Sequence, residues 1–136
     1  MTRDDVIDLI KDTGIGCLAT TVGTQPKVRP MMPYLNEDGN LLLAVLSHSR
    51  TIQDIQKNPL VEFCFIDRKM CFCRVSGKAK VSQDMGKKEL VWNNLPMLRQ
   101  YFSSPQDSKF VLIEIDTGSV EAMTPHQKAP DVLTLK

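Results

Sequence analysis

The sequence predicts a mainly β fold: an antiparallel β-barrel with short helices. Three observations point there. Six or seven apolar runs of strand length follow one another along the 136 residues. Turn signals rich in Gly, Pro, Asn and Asp separate them. The helical patterns in between are short and few, as in small closed barrels. No internal repeat, low-complexity stretch or linker interrupts the chain, so residues 1–136 are expected to form a single domain.

Thr2–Thr13 reads as a helix with Thr2 as N-cap, Asp5 completing a capping box, and an apolar stripe of Val6, Ile7, Leu9 and Ile10. Gly14 is placed to end it in the left-handed conformation. Cys17–Val22 is the first strand. After the turn Gly23–Pro26, Lys27–Tyr34 is the second. Pro30 and Pro33 cannot donate to a ladder, so this strand is expected at an edge or with a bulge. Asn36–Asn40 is a hairpin loop with an Asp-Gly signal, and Leu41–Leu46 the third strand. A short helix, Thr51–Lys57, stops at Asn58-Pro59. Leu60–Ile66 is a strongly apolar strand, and Met70–Val81 a long one bent at Gly77. Asp84–Asn94 is a helix that Leu95–Phe102 continues after Pro96. Lys109–Asp116 and Ser119–Met123 are the last strands, and the tail from Thr124 reads as irregular.

Composition narrows the function. The net charge is +1, from 17 Lys+Arg against 16 Asp+Glu. Non-specific nucleic-acid binding and attraction to a membrane surface both need a basic excess, so neither partner is expected. No apolar run is long enough to span a bilayer and no leader pattern opens the chain, so a cytoplasmic location is expected. The four cysteines, Cys17, Cys64, Cys71 and Cys73, form no Cys-x-x-Cys pair and read as free, buried thiols of a reducing compartment. Cys71 and Cys73 fall on one strand face, but their spacing fits no zinc pattern, so no metal is expected.

Two segments carry candidate chemistry. In Lys27-Val28-Arg29-Pro30-Met31-Met32, strand alternation puts Lys27, Arg29 and Met31 on one face. Arg29 is a charged fork suited to phosphate; the plainer reading is a solvated edge charge. Ser47-His48-Ser49-Arg50-Thr51 leads into a helix, whose free N–H groups and dipole favour an anion. Ser47, Ser49, Arg50 and Thr51 complete a phosphate cradle there; the plainer reading is capping, with Thr51 and Asp54 satisfying the helix start. Only two histidines exist, His48 and His126, and no Ser-His-Asp, His-x-x-x-His or Cys-His grouping is visible. No catalytic side chain is therefore assigned, and any reaction would draw its reactive atoms from a cofactor.

A helix, a Gly-x-Leu-Ala-Thr-like strand (Gly16–Thr20), the x-Arg-Pro-Met strand, the Ser-Arg loop, a helix ending Asn-Pro, an apolar strand and Arg-Val-Ser-Gly-Lys-Ala (Arg74–Ala79) follow in that order. From about Val6 to Met123 the chain resembles the pyridoxamine 5′-phosphate oxidase-like, FMN-binding split-barrel superfamily. It is most similar to the small general-stress and nitroimidazole-resistance-like branches. The resemblance implies a six-stranded split barrel and a homodimer with FMN at the interface. It places Arg29, Ser49 and Arg50 on the FMN phosphate and the backbone of Pro30, Met31 and Met32 beside the isoalloxazine ring. Where pyridoxamine phosphate oxidases carry lysines, this chain has Thr51 and Tyr34. Where they donate a glutamine across the interface, it has Phe72. Their Arg- and His-rich C-terminal segment has no counterpart in Thr124–Lys136. Those departures point away from pyridoxamine phosphate as substrate.

Phe72 and Trp92 remain as aromatic candidates to edge or cover the ring; the plainer reading of each is core packing. The resulting expectation is an FMN-dependent oxidoreductase passing electrons from a reduced nicotinamide or another donor to a small-molecule acceptor. The alternative is a binding protein without turnover, holding FMN, haem or a deazaflavin, with His126 or His48 as the haem ligand.

Overall fold

The computed structural model describes residues 1–136. Helix α1 (Arg3–Thr13) begins with the expected capping box: Thr2 Oγ1 accepts from the Asp5 amide at 3.2 Å, and Asp5 Oδ2 accepts from the Thr2 amide at 2.7 Å. Gly14 ends it at φ 68°. Strands β1 (Gly16–Val22), β2 (Gln25–Met31), β3 (Tyr34–Leu35) and β4 (Leu41–Leu46) follow, then α2 (Arg50–Lys57), β5 (Leu60–Ile66), β6 (Phe72–Ser82) and α3 (Met85–Asn94). A 3₁₀ turn over Pro96–Gln100 leads to β7 (Phe110–Met123) and β8 (Asp131–Thr134). No helix is long and apolar enough to cross a membrane.

All eight strands join one antiparallel sheet in the order β2-β1-β5-β6-β7-β4-β3, with β8 also on β7. The sheet is barrel-like and open, with eight strands rather than the expected six. Its edges are β2 and β3, yet only Met32 and Pro33 separate those strands along the chain. Three virtual bonds span at most roughly 11 Å, so the sheet must curl until its two edges approach. The split in the barrel thus falls at Pro33, which has no N–H to offer a ladder. The strand expected over Lys27–Tyr34 accordingly breaks there into β2 and β3.

Strand β4 is buried on both faces, which explains its uninterrupted apolar run. Leu41, Leu43 and Val45 face the main core with Leu18, Phe63, Val75, Ile113 and Ile115, closed by Val6 and Ile10 of α1 and Ile55 of α2. Leu42 turns the other way, into a second cluster with Val91 of α3, Leu98, Phe102, Phe110 and Leu112. Phe63 and Phe65, two apart on β5, stack at 4.8 Å between centroids. The bend expected at Gly77 is a register shift between Val75 and Gly77 against β7. A Cβ at Gly77 would lie 2.7 Å from the Asp116 carbonyl oxygen.

Two expectations at the C-terminal end are corrected. The last two strands are one 14-residue strand, β7. Thr117 is held inside it by side-chain contacts to the β3–β4 loop, its amide donating to Asn40 Oδ1 at 3.3 Å and its hydroxyl to the Gly39 carbonyl at 2.5 Å. The tail is not wholly irregular, since β8 pairs with Ser119–Ala122. Cys17 is exposed, Cys64 and Cys71 are half-buried, and only Cys73 is buried. Cys71 precedes β6 rather than sharing its face with Cys73.

Candidate functional site

Two concavities meet where β2 passes the start of α2. The first is cationic, about 520 Å³, and is lined by Lys27 and Arg29 of β2 and by Arg50, Gln53, Asp54 and Lys57 of α2. The second is a mostly apolar groove of about 420 Å³. Pro30, Met31 and Met32 form one wall, Leu43–Leu46 the floor, and Met97, Leu98, Tyr101 and Phe102 the opposite side, with His48 and Ser49 at the end. The two linings interleave along the chain: Arg29 and Arg50 belong to the first, Pro30 and Ser49 to the second. Strand alternation does this at β2, sending consecutive side chains to opposite faces.

Arg29 is held firmly. Its Nη2 donates to Asp54 Oδ2 at 3.0 Å and to Thr20 Oγ1 at 2.8 Å, and its Nη1 to the Leu18 carbonyl at 3.3 Å. Thr20 Oγ1 also donates to Asp54 Oδ2 at 3.3 Å. Asp54 compensates one charge, and Lys27, Arg50 and Lys57 have no ion-pair partner. The pocket therefore holds four cations against one carboxylate. Ser49, not Thr51, is the N-cap of α2, its Oγ accepting from the Thr51 amide at 3.3 Å. Asp54 is thus freed from the capping role expected of it and turns to Arg29. The helix start adds its own positive field beside Arg50.

The structure brings together Arg29, Pro30, Met31, Met32, Ser49 and Arg50 from the sequence candidates. Four others lie outside both concavities. Ser47 is exposed, its amide donating to the Lys109 carbonyl at 2.9 Å. Thr51 is buried in the first turn of α2. Phe72 opens β6 opposite Met123, with the Arg74 guanidinium 5.8 Å from its ring. Trp92 packs on the second cluster, capped by Arg99 at 4.7 Å. His48 lines the groove and His126 is exposed in the tail.

From the sequence, Gln53 and Lys57 take no role and Asp54 only a capping one, although a signal for all three exists. With Arg50 they recur at i, i+3, i+4 and i+7, one face of a helix. Tyr101 and Met97 had no such signal, because an irregular 3₁₀ turn presents them.

The cationic pocket suits an anionic group such as a phosphate, and the apolar groove a flat, apolar one. General stress protein 26 of Bacillus subtilis (strain 168) is 24% identical over 98% of this chain and 96% of its own length. Among solved structures, general stress protein 26 of Bacillus anthracis str. Sterne is 27% identical, with a TM-score of 0.83 over 98% of each chain. A NimC/NimA family protein of Clostridium acetobutylicum is 23% identical, with a TM-score of 0.84 over 98% of this chain and 92% of its own. The same fold extends to two proteins with named cofactors. One is a pyridoxamine 5′-phosphate oxidase-related, FMN-binding protein of Nostoc punctiforme, with 16% identity and a TM-score of 0.74 over 95% of this chain and 85% of its own. The other is a haem-binding protein of Mycobacterium smegmatis, with 14% identity and a TM-score of 0.77 over 98% of this chain and 58% of its own. Residues 2–128 match the family described as pyridoxamine 5′-phosphate oxidase like, and the chain belongs to that family.

Proposed function

We propose that this protein is an FMN-binding flavoprotein that acts as an oxidoreductase. One observation carries the reading: a pocket of four cations and a mostly apolar groove share the backbone of Arg29-Pro30 and Ser49-Arg50. Arg29, preset by Asp54 and Thr20, and Arg50, at the start of α2, hold the phosphate; Lys27 and Lys57 add charge. Pro30, Met31 and Met32 line the ring, with Tyr101 and Phe102 opposite. A bound flavin would supply hydride or single-electron transfer, and the protein's part is to anchor, orient and exclude water. No side chain in the groove is cast as acid or base. The proposed donor is a reduced nicotinamide and the acceptor a small molecule. A second copy of the chain is proposed to close the open side of the groove, where Tyr101 is 52% exposed, and the proposed location is the cytoplasm.

The test is a visible spectrum of the purified protein after FMN is added and the sample desalted. A retained two-band flavin spectrum, lost in Arg29→Ala/Arg50→Ala, supports the reading. Undiminished retention in that double variant overturns the anchor assignment. His48, at the end of the groove, supports one second reading, a haem-binding protein without turnover. That reading requires a Soret band that changes in His48→Ala.

A further inference from the structure

One row of side chains on the outer face of the sheet takes no part in the flavin site. Cys17 of β1 stands opposite Cys64 of β5. Cys64 stands opposite Arg74 of β6, and Arg74 opposite Glu121 of β7. Directly opposed residues of antiparallel strands share a face, with Cα atoms about 4.5–5.5 Å apart and Cβ atoms about as far. A disulfide needs Cα atoms about 4.4–6.8 Å apart and Cβ atoms about 3.5–4.5 Å apart. Opposed positions of this kind thus bring Cβ atoms within about 1 Å of the spacing a disulfide needs. Gly16 keeps the strands close at this end: a Cβ there would lie 2.7 Å from the Cys64 carbonyl oxygen. Neither Cys71 nor the buried Cys73 stands opposite another cysteine.

Arg74 supplies a second, independent observation. Its Nη2 donates to Glu121 Oε2 at 2.9 Å, but its buried Nε has no hydrogen-bond partner. A buried N–H without an acceptor is uncommon and asks for an explanation. A thiolate on the neighbouring Cys64 is the anion this row can offer it. Burial pushes the Cys64 thiol up, with the nearby Cys17 adding to the effect and Arg74 opposing it. Cys64 therefore rests as a thiol, and the exposed Cys17 is the one an incoming reagent meets first.

We propose that Cys17 and Cys64 are a dithiol switch that closes reversibly into a cross-strand disulfide when it meets a small-molecule disulfide such as oxidised glutathione. The Cys17 thiolate attacks one sulfur of the reagent, whose S–S bond breaks and releases one thiol. Cys64 then gives its proton to solvent and attacks Cys17 Sγ, expelling the second thiolate, which takes up a proton. Two protein thiols lose two electrons, and one small disulfide becomes two small thiols. Arg74 steadies the charge on Cys64 during the second attack. Excess small thiol drives the sequence backwards. None of these residues lines the flavin groove, so the switch stands apart from the flavin reading.

The experiment treats the reduced full-length protein with oxidised glutathione, counts thiols after denaturation, and maps crosslinked peptides without reduction. The expected result is loss of two of the four thiols, one crosslink joining the Cys17 and Cys64 peptides, and full recovery with dithiothreitol. Cys64→Ser should stop the sequence at a stable mixed disulfide on Cys17. Cys17→Ser should slow modification by about an order of magnitude, because a half-buried thiol replaces an exposed one as the first nucleophile. Arg74→Gln should let the mixed disulfide accumulate in an otherwise intact protein. Four thiols surviving, a bond to Cys71 or Cys73, or a crosslink only between chains would overturn the proposal. Each readout is a thiol or a peptide, so it is unaffected by whether flavin binds.

Discussion

Replacing Arg29 by alanine separates an anchor from a strut, because the structure gives the residue both jobs. Arg29→Ala removes three hydrogen bonds, to Asp54, Thr20 and the Leu18 carbonyl. It leaves the Asp54 carboxylate, 15% exposed, without its counter-ion. A hydrogen bond to a charged group contributes about 1.5–3 kcal/mol, but the three share one guanidinium that water still reaches, so they do not add; a stability loss of about 2 kcal/mol is expected, measured as a lower denaturant midpoint. Loss of the phosphate contact should weaken FMN binding by a similar energy, or about 10–100-fold in Kd. Titration of flavin fluorescence with FMN and, separately, with riboflavin distinguishes the two jobs. Riboflavin has the same ring and no phosphate, so its affinity should change little. Equal weakening of both ligands would mean that Arg29 only shapes the groove, and unchanged FMN affinity would refute the phosphate assignment altogether. Asp54→Asn sharpens the test: it frees the guanidinium and removes a negative charge from the pocket, so FMN affinity should rise while stability falls.

Filling the groove should act the opposite way. Ala44→Leu adds bulk to its floor and should weaken FMN and riboflavin alike, read by the same titration. Gly77→Ala should destabilise by about 1–3 kcal/mol, since the new methyl meets backbone and Ile115 Cγ2 at 2.7 Å; equilibrium unfolding measures it. Burial pushes the Cys73 thiol up to about 12 from an ordinary 9.0. The folded state thus favours the neutral thiol. That contribution is complete below about pH 9 and is lost as the pH climbs towards 12, so a Cys73→Ala protein should show a flatter alkaline stability profile over that window.

The fold was legible where local chemistry and tertiary demand agree. Thr2 with Asp5, Gly14, Pro30 on an edge strand and the Gly77 bend each act within a few residues, and each is where it was read. Strand β3 and the opening of the barrel turn on where Pro33 meets the opposite edge, which is a property of the closed sheet. Strand β8 rests on Val132-Leu133, too short an apolar signal to stand out before β7 is present to pair with it. The site was legible in part for the same reason. Arg29 and Ser49-Arg50 lie in compact segments, whereas the contact of Arg29 with Asp54 joins residues far apart in sequence. The groove wall at Met97 and Tyr101 depends on how a 3₁₀ turn settles on β4.

Strand β7 is the seam of the sheet, with β6 on one side and β4 and β8 on the other. It also comes after every other strand of the sheet but β8 along the chain. Until Phe110–Met123 has left the ribosome, the nascent chain holds two fragments that cannot join, β2-β1-β5-β6 and β4-β3, each with an unpaired edge. Pairing across such sequence distances is slow, and open edges recruit other chains in the meantime. A premature stop shortly before residue 110 would therefore not yield a slightly shortened barrel. It would yield two half-sheets tethered by a linker, a substrate for chaperones and proteases rather than a weakened protein.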